Sequence, residues 1–255
     1  MARVLITGSA DGLGKFAAER LVKTGHEVIL HARNAARGRD ARAGVPGARA
    51  VVVGDLSTLA EMRQVADQAN EQGPLDAVIH NAAVGFKESR KETVDGIEHV
   101  FAINTLAPYV LTALIQRPAR LIYLSSGLHQ SGNPDLSDLN WTRRRWNGMN
   151  AYSDTKLHDV LLALAIAHRW REVYSNALEP GWVSTKMGGA NAPDDLAKGS
   201  ETQAWLAVSD DAAAKVSGRY FFHLRERPAS PAARDRARQD ELLAKCAEMS
   251  GVVLQ

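Results

Sequence analysis

The chain alternates six short apolar runs with longer amphipathic segments, and this alternation limits the folds open to it. Each run is rich in Val, Ile or Leu and ends in small or polar residues: "RVLITG", "HEVILHA", "ARAVVVGD", "LDAVIHNAA", "ARLIYLSS" and "REVYSNALEPG". Segments 13–24, 57–72, 97–115 and 151–170 repeat apolar residues near i, i+3 and i+4, which predicts helices. Apolar strands separated by helices indicate buried parallel strands with right-handed crossovers. We therefore predict a doubly wound parallel α/β sheet.

Length and composition predict a single domain over residues 1–255. A chain of 255 residues with 45% hydrophobic residues can bury a sizeable core, and it contains no internal repeat or linker. The 31 basic and 29 acidic residues are spread along the whole chain, which disfavours nucleic acid or an anionic membrane as a constant partner.

Cysteine and histidine usage disfavours a disulfide framework and a metal site. Cys246 is the single cysteine, and the eight histidines form no H-x-x-x-H or H-E-x-x-H pattern. No apolar run approaches the roughly 18 residues that span a bilayer, and the N-terminus lacks the pattern of an export signal. We therefore expect a cytoplasmic protein without a membrane span or a metal ion.

The loop after the first apolar run, "TGSADGLG" at residues 7–14, contains three glycines. Gly8, Gly12 and Gly14 permit a tight turn that brings backbone N–H groups and the positive end of a helix close to a pyrophosphate. Three glycines alone are weak evidence, but the strand before them and the helix after them are the context that this motif requires. The loop therefore predicts a nucleotide site.

Five further motifs follow this loop in order: "HNAA", an Asn in the next helix, the second Ser of "YLSSG", the Tyr and Lys of "YSDTK", and "PG" after the sixth run. Together the six motifs resemble the short-chain dehydrogenase/reductase family over essentially the whole chain. "SGRYFF" and "PASPAARD" resemble the tail of its retinol-dehydrogenase-like branch. The resemblance implies a Rossmann fold and a nicotinamide cofactor. Two departures from the family pattern are His80 and Ala83 in "HNAA", and Glu179 before "PG", where the branch often has His or Arg.

The resemblance also implies which residues form the site. Ser126 would hold the substrate oxygen toward Tyr152, and Asn104 would hold a water in a proton relay to Lys156. The implied catalytic residues are thus Asn104, Ser126, Tyr152 and Lys156. The implied cofactor-binding residues are Gly8, Ser9, Gly12, Leu13, Gly14, Arg33, Asp55, Leu56, Asn81, Ala82, Tyr152, Lys156, Pro180, Gly181, Val183 and Thr185.

Some of these residues have plainer alternatives. Asp55 resembles the family's adenine-contacting aspartate, but it could equally cap the helix ahead of Ser57. Thr185 is expected at the nicotinamide carboxamide, although a turn-stabilising hydroxyl is the alternative. Ser125 could be confused with Ser126 because the two are adjacent.

The end of the second run bears on the choice between NAD and NADP. A carboxylate at this point would hydrogen-bond the ribose 2′-OH, whereas an Arg accepts the 2′-phosphate. The sequence places Ala32 at the acidic position and Arg33 directly after it, which favours NADP(H). Asp11 in the glycine loop weakens this interpretation slightly, because some NADP-preferring relatives carry a basic residue there.

Tyr152 and Lys156 lie four residues apart, so on a helix they share a face about 40° wide. Lowering the phenol pKa from about 10 by about 3 units requires about 4 kcal/mol. An ammonium at roughly 5 Å supplies about 3 kcal/mol at an effective dielectric constant of 20. Helped by an oxidised nicotinamide, Lys156 would therefore suffice to make Tyr152 an acid–base group near neutral pH.

These observations predict an enzyme that interconverts a carbonyl and an alcohol. The alternative is a non-catalytic nucleotide-binding sensor on the same fold. Such proteins typically lose the Tyr or the Lys, and this chain keeps both. Aromatic and Met residues in the loops expected over the pocket suggest an apolar or ring-containing substrate: Trp141, Trp146, Met149, Trp182 and Met187. Long Ala- and Leu-rich helices at 97–115 and 151–170 predict a homodimer or homotetramer, unless the closing helix covers them.

Overall fold

The computed structural model describes residues 1–255 and contains one sheet of eight strands. In the sheet the order is β3-β2-β1-β4-β5-β6-β7-β8; β1 to β7 are parallel, and β8 pairs antiparallel with β7. The order reverses at β1, so the predicted doubly wound parallel sheet is confirmed. The strands are β1 (Arg3–Ile6), β2 (Glu27–Ala32), β3 (Ala50–Val53), β4 (Ala77–His80), β5 (Arg120–Leu124), β6 (Tyr174–Glu179), β7 (Tyr220–Phe222) and β8 (Arg225–Arg227).

Eight helices flank the sheet. A π-helical turn at Ala102–Leu106 joins α4 to α5, and short 3-10 turns lie at Gly127–Ser131 and Pro231–Arg234. The helices are α1 (Gly12–Lys23), α2 (Ala35–Gly44), α3 (Leu59–Glu71), α4 (His99–Phe101), α5 (Ala107–Leu114), α6 (Gly148–Arg169), α7 (Leu196–Val208) and α8 (Arg236–Ser250). None of them combines the length and the apolar character that crossing a bilayer requires.

The parallel strands are buried on both faces because their successive side chains enter two separate cores. Leu5 belongs to a cluster of 41 buried residues that includes side chains of α3, α5, α6 and α8. Val4 and Ile6 belong to a cluster of 19 that includes side chains of α1, α2 and α7. This two-sided burial explains why the strands read as continuous apolar runs rather than as alternating ones.

Helix α8 covers the apolar faces from which the sequence predicted an oligomer. Residues 151–166 of α6 are all buried within the single chain, and α8 packs against both α6 and α5. The alternative expected for these helices, cover by the closing helix, is therefore what the structure contains. The apolar surface of these helices is thus covered within one chain, and the homodimer or homotetramer stays a prediction.

The helix predicted at 97–115 is not regular. Its centre is the π-helical turn, which includes Asn104. The sequence pattern also did not predict α2, α7 or the β7–β8 hairpin. Helix α2 reads "AARGRDARAG" and buries only Gly38 and Ala41, so it has no apolar stripe by which to recognise it.

Candidate active site

A large cleft follows the carboxyl edge of the sheet, where the loops after β1 to β6 meet. Its volume is about 1570 Å³. A site for one small molecule typically occupies about 300–1,000 Å³, so this cleft has room for a dinucleotide and a second molecule. Open α/β sheets bind their ligands at this edge, where the strand order reverses.

The glycine loop forms the floor of the cleft beside β1 and needs its glycines for two reasons. Gly8 and Gly12 have φ of +63° and +53°, which is the left-handed region that favours glycine. A Cβ on Gly8 would lie 2.8 Å from the Ala82 Cα, and one on Gly14 would lie 2.5 Å from the Asn81 Nδ2. The "HNAA" segment therefore packs directly against the loop.

Asn81 holds the two segments together. Its Nδ2 donates to the carbonyls of Thr7 and Gly8 at 2.9 and 3.1 Å, and its backbone N–H donates to the Thr7 hydroxyl at 2.9 Å. The Ala82 N–H donates to the same hydroxyl at 3.0 Å. Through these bonds Asn81 and Ala82, which line the cleft, also fix the shape of the loop beside them.

Helix α1 begins at the cleft without the side-chain cap that other long helices have. Side chains of the preceding residue accept hydrogen bonds from the first turns of α2, α3, α6, α7 and α8, whereas Asp11 makes no such bond to α1. Its carboxylate instead accepts from Arg37 Nη2 at 2.6 Å and from Lys186 Nζ at 2.7 Å. Burial would raise the pKa of Asp11, but Lys186 and Arg37 outweigh it and lower that pKa. The first turn of α1 thus keeps backbone N–H groups for an anion, which suits a pyrophosphate.

Two arginines and a histidine lie at the end of β2, with Asp11 paired to one of the arginines. Arg33 is exposed at the edge of the cleft, and Arg37 lines it as well. His31 is buried; its Nδ1 accepts from the Gly8 N–H at 2.9 Å, and its Nε2 donates to the Gly54 carbonyl at 3.0 Å. Burial lowers the pKa of His31 to about 4, so this histidine is neutral and fixes the loop rather than binding a phosphate.

Asp55 stabilises the turn ahead of α3, whose cap is Thr58, and its contact with an adenine stays a prediction. It lines the cleft together with Leu56, and one carboxylate oxygen accepts from the Ser57 N–H at 2.9 Å. The turn-stabilising bond ahead of α3 is therefore present, and it leaves the residue at the cleft wall.

The structure separates the two serines that the sequence could confuse. Ser125 is buried, and its hydroxyl donates to the Lys156 backbone carbonyl at 2.6 Å. Ser126 lines the cleft, and its hydroxyl accepts from the Leu128 N–H at 3.3 Å. His129 fixes the Ser126 backbone by donating from Nδ1 to its carbonyl at 2.7 Å while its Nε2 accepts from the Ser230 N–H. Both serines border the cleft, but the Ser125 hydroxyl is engaged with α6, so Ser126 is the better candidate for contact with a substrate.

Tyr152 and Lys156 lie near the start of α6 and line the cleft with Ser126. The Lys156 Nζ is 5.5 Å from the centre of the Tyr152 ring, and Phe86 packs edge-on against that ring at 5.9 Å. Tyr152 is only 8% exposed. Its hydroxyl therefore meets the cleft from an apolar wall.

The pKa of Tyr152 is raised in the structure, whereas the sequence predicted that Lys156 would lower it. Burial raises it above the ordinary value; Lys156 and a contact with the Ser126 hydroxyl lower it, and Asp159 raises it further. The sequence argument counted only the ammonium. Desolvation and the buried charge of Asp159, which only the packed structure supplies, turn the expected decrease in the pKa of Tyr152 into an increase.

Lys156 is fixed by two acceptors. Its Nζ donates to the Leu124 carbonyl at 2.7 Å and to Asp159 Oδ2 at 2.8 Å, and the Lys156 and Asp159 side chains are each 3% exposed. Burial lowers the pKa of Lys156, but Asp159 and Tyr152 raise it by more, so the ammonium stays charged.

Asn104 lies in the π-helical turn and is buried. Its Oδ1 accepts from the Val84 N–H at 2.8 Å, and its Nδ2 donates to the Val84 carbonyl at 3.0 Å and to Thr155 Oγ1 at 3.1 Å. These contacts join the segment after β4 to α6 beside Tyr152. The proton relay to Lys156 remains a prediction.

The segment after β6 forms the opposite wall. Thr185 lies next to Gly12, since a Cβ on that glycine would be 3.6 Å from the Thr185 Cγ2. Glu179 is half-buried at the start of this wall, and burial raises its pKa. A Cβ on Gly127 would lie 2.6 Å from its Oε2, so the end of the Glu179 side chain packs against the backbone at position 127. Pro180, Gly181, Val183 and Thr185 all line the cleft.

Some predicted residues do not reach the cleft. Ser9 is fully buried and bonds the Ile6 carbonyl and the His31 N–H, so it shapes the loop from beneath. Gly14 serves packing, as described above. Trp141 and Trp146 pack against each other with ring centres 5.4 Å apart and line no part of the cleft, whereas Met149, Trp182 and Met187 do.

His80, one of the two departures in "HNAA", has no place in the cleft either. It is buried, stacks on Tyr123 and bonds the Thr112 hydroxyl at 3.0 Å. Its role is local packing.

Sequence reasoning assigned no role to Asp159, Arg37, Lys186 or His129. For Asp159 a signal was available, because it lies three residues after Lys156 and thus on the same helix face. The others come from separate segments whose proximity no spacing reveals.

A doubly wound parallel sheet with an uncapped glycine loop at one part of a cleft, and a Ser, Tyr and Lys at another, defines a nicotinamide-dependent oxidoreductase. The family model described as short chain dehydrogenase matches residues 2–137. An uncharacterised oxidoreductase of Emericella nidulans is 45% identical over 99% of this chain and 98% of its own length. The mouse retinol dehydrogenase 13 is 31% identical over 98% of this chain and 84% of its own.

The fold comparison agrees. The crystal structure of an uncharacterised Mycobacterium paratuberculosis protein has a TM-score of 0.85 and 27% identity, covering 100% of this chain and 95% of the other. The chain belongs to the short-chain dehydrogenase family, and the resemblance to its retinol-dehydrogenase-like branch is confirmed.

Proposed function

We propose that residues 1–255 form one Rossmann-type catalytic domain that uses NADP(H) to interconvert a carbonyl and a secondary or primary alcohol. The observation that carries the proposal is that Ser126, Tyr152 and Lys156 line the same cleft as the glycine loop and the end of β2. When bound, the nicotinamide supplies or accepts a hydride at the substrate carbon.

The residues of the cleft fit such a cofactor. The free N–H groups of α1, with Gly8 and Gly12 in left-handed conformations, suit the pyrophosphate. Arg33 is open at the end of β2 and suits a 2′-phosphate. Thr185, beside Gly12, is the candidate for the carboxamide.

The chain's own part in the reaction is proton transfer and positioning. In reduction the Tyr152 O–H bond breaks as its proton passes to the substrate oxygen, and in oxidation the phenolate takes a proton from the substrate hydroxyl. The Ser126 hydroxyl holds that oxygen, and the charged Lys156 stabilises the phenolate. The oxidised cofactor and the ammonium together must offset the burial that raises the pKa of Tyr152.

The walls near Tyr152 favour an apolar or ring-containing substrate. Phe86 packs against the Tyr152 ring, and six further large apolar side chains line the cleft: Ile103, Leu128, Met149, Trp182, Met187 and Phe222. Trp182 is 60% exposed, a large apolar surface that a bound ring would cover. A cytoplasmic location and a homodimer or homotetramer stay predictions, the latter testable by light scattering.

The test is Tyr152→Phe, assayed against a panel of apolar ketones, aldehydes and alcohols by NADPH absorbance. We expect turnover to fall at least about a hundredfold, because general acid–base catalysis contributes about 10²–10⁴-fold, with NADPH affinity unchanged. Tyr174→Phe is the matched control, since Tyr174 lies outside the cleft at the start of β6. Near-normal turnover of the Tyr152 variant with any substrate that wild type converts would refute the proposal.

A further inference from the structure

Three side chains form one stripe along α6. Residues 152, 156 and 159 are four and three apart, so on an α-helix all three lie within about 60° of one another. Tyr152 and Lys156 line the cleft, while Asp159 lies deeper and is 3% exposed. The stripe therefore runs from the acid–base hydroxyl through a cation to a buried carboxylate.

The ammonium of Lys156 has three N–H bonds, and two of them are committed. One points to the Leu124 carbonyl at 2.7 Å and one to Asp159 Oδ2 at 2.8 Å. The third is left for the cleft. A neutral carbonyl oxygen could accept this N–H just as the Asp159 carboxylate does. The need for a hydrogen-bond acceptor therefore does not explain why position 159 carries a charge.

We propose that Asp159 is a positioning residue that offsets the charge of Lys156, keeps Tyr152 protonated and biases the site toward proton donation, that is, toward carbonyl reduction. The proposal rests on the roles of Tyr152 and Lys156 in the proposed function. It adds a fourth side chain to the site and a preferred direction to the reaction.

The charges around Asp159 support this sign. The titratable groups that face it are Lys156 and Tyr152 on α6, Tyr123 on β5 and Tyr220 on β7. Burial raises the pKa of both Tyr123 and Tyr220, so both phenols are neutral. Lys156 is thus the cation among them.

Asp159 acts on Tyr152 through space as well as through Lys156. Seven residues correspond to about 10 Å along a helix axis. At that separation and an effective dielectric constant of about 20, removing one negative charge lowers the pKa of a phenol by about one unit. Burial raises the pKa of Asp159 to about 7 although Lys156 lowers it, so this carboxylate is charged over the alkaline range in which Tyr152 titrates. Asp159→Asn keeps an oxygen to accept from Lys156 and removes that charge.

The experiment compares pH profiles of wild type and Asp159→Asn in both directions, with a carbonyl and alcohol pair that the panel identifies. The alkaline limb, where oxidation rises and reduction falls, should move about one pH unit lower. Oxidation at a fixed pH on this limb should rise up to about tenfold. Asp154→Asn is the matched control: this buried carboxylate of α6 pairs with Arg144 and faces away from Lys156, so its profile should not move.

A second readout needs no substrate. The ultraviolet absorbance of phenolate, taken as the difference between each protein and its Tyr152→Phe counterpart, reports Tyr152 alone. Its titration should move by the same amount in Asp159→Asn, with far-ultraviolet circular dichroism confirming that the fold persists over the pH range.

The outcomes separate the two proposals. If Tyr152→Phe is inactive and neither limb nor titration moves in Asp159→Asn, the inference is wrong and Asp159 only holds the helix; a loss of rate at every pH without a shift overturns the inference in the same way. If Tyr152→Phe keeps turnover, the proposed function itself fails. If Asp159→Asn does not fold, Asp159→Glu replaces it. Because Glu keeps the charge, the alkaline limb of the pH profile must stay within about half a pH unit of wild type. A larger shift overturns the inference.

Discussion

Arg33 should determine most of the preference for NADPH over NADH. Its guanidinium is exposed at the edge of the cleft, whereas Arg37 is already paired with Asp11 at 2.6 Å and with Asp40 at 3.7 Å. A phosphate can engage Arg33 without breaking an existing contact. Engaging Arg37 would require it to share the Asp11 carboxylate, which offsets part of the gain.

The magnitude follows from this difference. A hydrogen bond to a charged group contributes about 1.5–3 kcal/mol, and solvent exposure places Arg33 at the lower end. Arg33→Ala should therefore weaken NADPH binding about tenfold while leaving NADH binding nearly unchanged. Arg33→Asp adds repulsion of the 2′-phosphate and an acceptor for a free 2′-OH, so its loss should approach a hundredfold and the preference should reverse.

The assay is a titration of each protein with both reduced cofactors, followed by nucleotide fluorescence at fixed ionic strength. Arg39→Ala is the matched control, because Arg39 is an exposed arginine of α2 outside the cleft and reports the effect of net charge alone. Arg37→Ala should weaken NADPH binding less than Arg33→Ala does and more than Arg39→Ala does. Equal affinity of wild type for NADH and NADPH, or unchanged NADPH affinity in Arg33→Asp, would show that Arg33 is only a surface arginine.

Three further predictions concern the floor and wall of the cleft. Lys156→Ala should reduce both turnover and cofactor affinity. If a rate assay and a cofactor titration find only one of them changed, Lys156 serves only that one role. Gly8→Ala should lower the free energy of unfolding by about 2–3 kcal/mol, since φ is +63° and the new Cβ would lie 2.8 Å from the Ala82 Cα. Gly25→Ala, with φ of +83° and nothing within 4 Å, should lose only about 1–2 kcal/mol in the same denaturant titration. His31 has a folded-state pKa of about 4 against an ordinary 6.5, so the unfolded chain binds more protons between these values and stability should fall as pH drops through that window. The His31 share should be about 1.4 kcal/mol per pH unit. Buried His80 and His158, each with a pKa lowered to about 3, add to the same slope, so His31→Gln should reduce the slope of stability against pH by that share.

Arg33, Gly8 and Tyr152 illustrate how far local pattern reaches. Gly8 and Arg33 directly follow the ends of apolar runs, whereas Tyr152 lies in the helical pattern of α6. The carboxyl ends of parallel strands meet at one edge of the sheet. The sequence could therefore place them in one cleft. Their neighbours Arg37 and Lys186 come from α2 and from the segment after β6, and only the packed chain brings both to Asp11.

The helix that begins at Gly148 shows the limit most clearly. Its period predicted that Tyr152 and Lys156 share a face, and they do. The same period places Asp159 on that face, yet a surface carboxylate and a buried one look alike in sequence.

By itself, then, the sequence determined the first six strands, the glycine loop and the order of the motifs along the cleft, because strand period, helix period and turn chemistry act over a few neighbouring residues. The tertiary structure decided which serine hydroxyl is engaged with α6, that α8 covers α6, and that burial and Asp159 raise the pKa of Tyr152. Desolvation depends on which distant segments exclude water from a group, and that is a property of the packed chain alone.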